Sequence, residues 1–101
     1  MGVGDGIYHF GGHEVTVTDG VARLKDGTLA SSTVTMNKAL QISTDMSLPL
    51  GDSIQMASQT PADILNCSHI GQITPGFDAD LILLSDSFDV EKAILKGNIL
   101  I

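Results

Sequence analysis

One cysteine, no tryptophan and five basic residues are what this sequence of 101 residues has least of, and each shortage excludes a class of protein. A lone thiol, Cys67, cannot build an internal disulfide framework or a thiolate metal site, and its neighbours Asn66 and Ser68 point to no special reactivity. A reducing, cytoplasmic setting fits that usage. Five Lys and Arg against twelve Asp and Glu give a formal charge of −7. Nucleic acid and anionic membrane surfaces both require a basic patch, so neither is expected as a partner. No apolar run approaches the roughly 20 residues that a membrane-spanning helix needs. The start, MGVGDGIYHF, carries neither the basic segment nor the apolar run of a signal peptide. Its Met1-Gly2 resembles a myristoylation start, but Gly6 stands where Ser or Thr is required. Gly2, Gly4 and Gly6 have no strand before them and no helix after them, so they are not read as a phosphate loop. His9, His13 and His69 form no H-x-H or H-E-x-x-H pattern, and there is no nucleophile elbow.

What is present begins with a period of two from Ile7. Gly11-Gly12 and Asp19-Gly20 are two-residue hairpin signals, and placing them pairs Phe10 with His13, Tyr8 with Val15, Val15 with Leu24, and Val17 with Ala22. A three-stranded antiparallel meander over residues 7–25 follows. One face carries Tyr8, Phe10, His13, Val15, Val17, Ala22 and Leu24; the other carries Ile7, His9, Glu14, Thr16, Thr18, Val21 and Arg23. This register puts His9 and His13 on opposite faces, so they cannot jointly hold a metal.

The next stretch, Asp26 to Ala39, reads DGTLASSTVTMNKA. Asp26-Gly27 signals a turn, Ala30, Ser31 and Ser32 keep the chain low, and Thr35 suits the N-cap of a helix. Such a loop admits close approach to the backbone, and the N–H groups beyond it suit anionic or polyol oxygens. Met36, Ala39, Leu40 and Ser43 follow helical spacing as far as Thr44. Pro49 suits the start of a second helix with Leu50, Ile54 and Ala57 inward, and Thr60-Pro61 the start of a short third with Ile64 and Leu65 inward. Thr74-Pro75-Gly76-Phe77 reads as a type II turn. Asp80 is expected to bond the backbone of that turn and so fix the entry of the apolar strand 81–84, which suits cover on both faces. Val90 to Lys96 reads as a further strand, with a hairpin at Gly97-Asn98 before Ile99-Leu100-Ile101. The chain is therefore expected to be α+β, a single unit over 1–101 with the meander over 7–25, loop and helices over 26–66, and strands over 71–101. The unpaired edges and the apolar final strand predict self-association into a homo-oligomer.

TVTDGVARLKDGTLASSTVTM, then MASQTPADILN, then GQITPGFDADLILL together resemble the C-terminal third of the N-acetylglucosamine-6-phosphate deacetylases, a branch of the amidohydrolase superfamily, over nearly the whole chain. The segment from Gly71 to Leu81 is shared by many amidohydrolases; DGTLA-x-S ahead of a T-M helix selects the sugar-phosphate branch. The resemblance implies the end of a TIM-type barrel plus part of a small β-sandwich domain. It also implies a parent enzyme that uses a divalent metal, zinc or iron, to deacetylate N-acetylglucosamine 6-phosphate. In such enzymes the metal ligands and a catalytic Asp precede the matching segment, so this chain is expected to be a fragment without catalytic residues and without a metal of its own. The positions that carry over are Leu29, Ala30 and Ser31, which match the part of the family that lies over the bound sugar phosphate. Ser31 stands where the family usually has glycine. Two other readings stay open: a piece of an amidohydrolase acting on a cyclic amide or amine, and a non-catalytic module that binds a ligand or a partner.

Overall fold

Turns that require positive φ organise the first third of the chain. The computed structural model describes residues 2–101. It divides after Thr35 into two units, each treated below by itself. In the first, β1 (Gly6–Phe10), β2 (His13–Thr18), β3 (Val21–Leu24) and β4 (Leu29–Ser32) form an antiparallel sheet in that order. Gly11 and Gly12 have φ of 57° and 79°, and Asp19 and Gly20 have 50° and 76°. Positive φ at both central residues is the type I′ pattern, whose twist matches that of the flanking strands. The pairs Phe10 with His13, Tyr8 with Val15, Val15 with Leu24 and Val17 with Ala22 are those the two turns predict.

That register turns Val15, Val17 and Ala22 to one face, where they are 3%, 2% and 0% exposed, with Val3, Tyr8, Leu24 and Ala30 packed against them. Phe10 and His13 share the face by register but sit at its far end and remain exposed. Ahead of the sheet, the Asp5 carboxylate accepts the N–H groups of Asp19 (3.1 Å) and Gly20 (3.4 Å), closing the turn between β2 and β3. The Thr33 hydroxyl donates to the Gly20 carbonyl at 2.6 Å, and Gly2 N–H to the Thr33 carbonyl at 2.9 Å.

The expected three-stranded meander is one strand short, because the stretch read as a loop after Asp26 supplies β4. Asp26-Gly27 makes a three-residue hairpin loop: Gly27 N–H reaches the Leu24 carbonyl (2.9 Å), Leu24 N–H the Thr28 carbonyl (2.8 Å), and Gly27 takes φ 84°. Leu29–Ser32 has little β propensity, yet a hairpin loop delivers it beside β3, and the ladder then outweighs composition.

The second unit contains α1 (Met36–Asp45), α2 (Leu50–Ala57), α3 (Gln59–Ile64), β5 (Leu81–Leu84), β6 (Val90–Leu95) and β7 (Asn98–Ile99); the strands form an antiparallel sheet in chain order. Two helices end in paired bonds of the Schellman type without glycine. At α1, Leu48 N–H reaches the Ser43 carbonyl and Ser47 N–H that of Thr44, with Ser47 at φ 68°. At α3, Cys67 N–H reaches the Ala62 carbonyl and Asn66 N–H that of Asp63, with Asn66 at φ 55°. The Asn37 side chain ties α1 to the turn before β6 through the Phe88 carbonyl at 2.9 Å.

Several expectations shift here. The buried residue of α2 is Ser53, while Leu50 and Ile54 stay exposed; α3 buries Ala62, not Ile64 or Leu65, and starts at Gln59 rather than after Thr60. Ile82 and Leu83 are exposed, since no second layer covers both faces of β5 among the described residues. Thr74–Phe77 is a turn as expected, with Phe77 N–H on the Thr74 carbonyl and Gly76 at φ 92°. Asp80, however, accepts Lys96 N–H at 2.8 Å instead of bonding that turn. The last hairpin is displaced by one residue: Lys96 and Gly97, at φ 48° and 80°, are its central pair, and Leu95 faces Asn98. Holding the Lys96 N–H through Asp80 lets a non-glycine residue take the first left-handed position.

Gly71 differs from the other turn glycines in what surrounds it. At φ 93°, a Cβ there would lie 3.0 Å from the Ala62 Cβ and 3.2 Å from the Gln59 Cα, whereas a Cβ on Gly97, at φ 80°, meets nothing within 4 Å. Gly97→Ala should cost only the left-handed backbone penalty of about 1–2 kcal/mol. Gly71→Ala adds a clash with a helix backbone and should lower the urea midpoint clearly more; equal midpoints for the two variants would refute the close approach of α3.

Candidate functional site

The residues singled out by sequence, Leu29, Ala30 and Ser31, lie on β4, the last strand of the first sheet. What places them is the preceding turn. The Asp26 carboxylate accepts Thr28 N–H at 2.9 Å, and the Arg23 Nη1 donates to the Gly27 carbonyl at 2.9 Å, so the loop is held by bonds from both of its sides. Hydrogen bonding from Thr28, side chain first and backbone second, holds the Asp26 carboxyl below its usual range.

Along β4 the register shifts. Arg23 faces Leu29 and Ala22 faces Ser31, which leaves Ala30 as the extra residue of a β-bulge. A bulge interrupts strict alternation, and the three side chains accordingly take different surroundings. Leu29 is 64% exposed, Ala30 packs on the Val15–Val17–Ala22 core, and Ser31 is half-buried opposite Ala22. Ser31 is absent from the non-glycine residues of positive φ, so its backbone is one any side chain adopts and nothing there demands glycine. Beyond it, Ser32 Oγ accepts Val34 N–H at 3.1 Å.

The chemistry available follows from these groups. β4 has a ladder partner on one side, β3, so its outer backbone edge presents N–H and C=O groups, and Leu29 adds an exposed apolar surface beside them. No titratable side chain lies between Leu29 and Ser32. Such a strand can orient a polar ligand through its backbone, but its Ser31 and Ser32 hydroxyls have no general base on the strand to activate them. The strand β4 was the feature that sequence reasoning missed. Its signal was the spacing itself, since Leu24 and Thr28 flank three residues ending in glycine, a hairpin pattern rather than a loop before a helix.

The other candidates stay apart. His9 faces Glu14 across the ladder and His13 faces Phe10, one position out of phase, and both are exposed. His69 lies in the second unit with Nε2 3.8 Å from the Asp78 Oδ2, and Cys67 Sγ lies 3.8 Å from the Leu65 carbonyl. Among the described residues, no three or more His, Cys, Asp or Glu come together as a metal site would require. The residues present therefore do not fit a zinc or iron ion, which takes three or four converging donors.

Comparison with known proteins places these features. The model of the amidohydrolase family matches residues 6–100. The N-acetylglucosamine-6-phosphate deacetylase of Bacillus subtilis (strain 168) is 37% identical over 100 residues, which cover 97% of this chain and 25% of that protein. The crystal structure of the deacetylase of the same name from Thermotoga maritima superposes with a TM-score of 0.85 at 32% identity, covering 99% of this chain and 28% of that one. A mutant of the Mycobacterium smegmatis enzyme, in complex with N-acetyl-D-glucosamine-6-phosphate, superposes with a TM-score of 0.82 at 28% identity, again covering 99% and 28%. The chain thus spans about a quarter of the length of these proteins.

The turn that delivers β4 should respond to acid. A carboxyl whose folded pKa is depressed contributes stability that is present above its unfolded pKa and is lost as pH falls through the folded value. Asp26→Asn keeps an acceptor for Thr28 but removes the charge. Thermal unfolding between pH 2 and pH 6 should therefore show a smaller loss of Tm on acidification for the variant than for the parent chain. Parallel curves would mean that the Thr28 bonds do not favour the ionised form.

Proposed function

The chain belongs to the amidohydrolase family, and from that premise we propose that it is the C-terminal part of an enzyme that hydrolyses N-acetylglucosamine 6-phosphate to glucosamine 6-phosphate and acetate. The observation that carries this reading is 37% identity to a deacetylase of that name running through 97% of the chain. A structural likeness at TM-score 0.82 to an enzyme bound to that sugar phosphate supports it. The stretch DGTLASS, now seen as a bulged hairpin, is the segment that distinguishes the sugar-phosphate branch. In the proposed parent, the first sheet and first helices follow the last strand of a TIM-type barrel, and β5 to β7 return to a small β-sandwich. A cytoplasmic location and self-association through the exposed Ile99, Leu100 and Ile101 belong to the same reading.

Amidohydrolases are generally metal-dependent. In such an enzyme the metal supplies an activated water, and hydrolysis breaks the amide C–N bond to give acetate and a free amine. This chain's own part is different. The outer edge of β4 at Leu29, Ala30 and Ser31 lies over the sugar phosphate, its backbone groups bonding polar oxygens while Leu29 shields them from water. The carboxylate and imidazole groups that hold the metal and transfer the proton come from the remainder of the parent.

Two measurements test this. The purified chain, incubated with zinc and freed of loose metal, should retain no stoichiometric metal, release no acetate from N-acetylglucosamine 6-phosphate above the blank, and scatter light as a dimer or larger species. Bound zinc with turnover would overturn the reading. In the full-length parent, Ala30→Trp should raise KM for the sugar phosphate at least tenfold by expelling the bulge from its place on the core, whereas Ser31→Gly should leave kcat intact and alter only KM. Unchanged kinetics for Ala30→Trp would remove β4 from the site.

A further inference from the structure

We propose that Asp19 is a site of spontaneous covalent modification: its side chain closes on the backbone nitrogen of Gly20 to a succinimide, and hydrolysis of that ring leaves an isoaspartyl link in the turn between β2 and β3. In the closing step the Gly20 nitrogen attacks Cγ of the protonated Asp19 carboxyl, an N–Cγ bond forms, and the Cγ–O bond breaks as water leaves with the amide proton. Water then adds back to the ring. Where it cleaves the bond from the Gly20 nitrogen to the main-chain carbonyl carbon of Asp19, the chain continues through Cγ with one more methylene and an unchanged mass. The reaction needs water alone and does not depend on which substrate the parent takes.

Three Asp-Gly pairs compete for this chemistry: Asp5-Gly6, Asp19-Gly20 and Asp26-Gly27. In each the glycine lacks the Cβ that would obstruct the attacking nitrogen, and each aspartate is exposed. What separates them is how firmly the two reacting groups are held. Asp5 has both carboxylate oxygens engaged, by the N–H groups of Asp19 and Gly20, and Gly6 lies in β1 opposite Val17. Asp26 accepts Thr28 N–H at 2.9 Å, while the Gly27 N–H that would have to attack is donated to the Leu24 carbonyl at 2.9 Å. Hydrogen bonding from Thr28 also favours the ionised form of that carboxyl, which has no hydroxyl to lose.

Asp19 is the least restrained of the three. Its carboxylate makes no hydrogen bond or ion pair among the described residues, and the Gly20 N–H is held by Asp5 Oδ1 at 3.4 Å, longer than an ordinary N–H···O bond. It is also the one of the three at positive φ, 50°. An L side chain is strained there, and an isoaspartyl residue, with its extra backbone methylene, is released from that constraint. The consequence follows from register. A two-residue type I′ loop fixes the pairs Val15 with Leu24 and Val17 with Ala22; a longer backbone in the loop no longer holds them, and the face that buries Val15, Val17 and Ala22 loosens.

The test is ageing of the purified chain in mildly acidic buffer, followed by digestion and separation of the peptides. An isoaspartyl peptide keeps its parent's mass, shifts in retention, and resists a protease that cuts only before α-linked aspartate. Isoaspartate should accumulate at Asp19 about fivefold faster than at Asp5 or Asp26, and the margin should vanish when the chain is aged in denaturant. Faster reaction at Asp5 or Asp26, equal rates at all three in the folded chain, or a preference for Asp19 that survives denaturation would overturn the proposal. Asp5→Ala frees the Gly20 N–H and should raise the rate at Asp19 relative to Asp26, which serves as internal reference; an unchanged ratio in the folded variant would overturn the protection by Asp5. Should that variant fail to fold, the ranking of the three sites in the unaltered chain still decides. The isolated isoaspartyl form should unfold at a lower temperature than its parent, and equal temperatures would overturn the loss of register.

Discussion

Positive φ at a few turn positions is the constraint on which the structure depends. A strand has period two, so a slip of one residue moves every side chain to the opposite face. The type I′ pairs Gly11-Gly12 and Asp19-Gly20 remove that freedom between β1, β2 and β3, and the result is the face that buries Val15, Val17 and Ala22. Asp5 reinforces the second turn by accepting both of its N–H groups. Asp80 does the corresponding work at Lys96 in the second sheet. In both cases a carboxylate from outside the hairpin holds a turn whose first central residue is not glycine, a place where an L side chain costs about 1–2 kcal/mol.

The same logic explains why the candidate site is a strand. Gly27 lets the chain reverse in three residues, β4 pairs with β3, and the bulge at Ala30 breaks the alternation just where Leu29 turns to solvent and Ala30 to the core. A bulged edge strand is rigid on its paired side and open on the other. That combination suits positioning of a ligand by backbone groups.

Exposure separates the two units. The sheet up to Thr35 has a small core of its own, whereas the helices and strands after it leave Leu50, Ile54, Ile64, Ile82 and Leu83 in solvent. These helices are amphipathic in sequence, yet amphipathicity states only that a face seeks cover. Here the face is presented to solvent.

By itself the sequence determined the local events: the two glycine hairpins and their register, the three helices within a residue or two, the type II turn, and the separation of His9 from His13. It also carried the motif that leads to the amidohydrolase family. Each of these is set by neighbours in the chain, through φ preference or periodicity, and needs no knowledge of distant contacts. Tertiary structure decided the rest. Leu29–Ser32 became a strand because β3 was beside it, the Ser43 hydroxyl met that of the buried Ser53 because α1 and α2 pack together, and Asp80 reached Lys96 because the sheet brought them together. Which face of an element is covered, and which bond a polar group makes, depends on residues far away in sequence; local pattern carries no information about them.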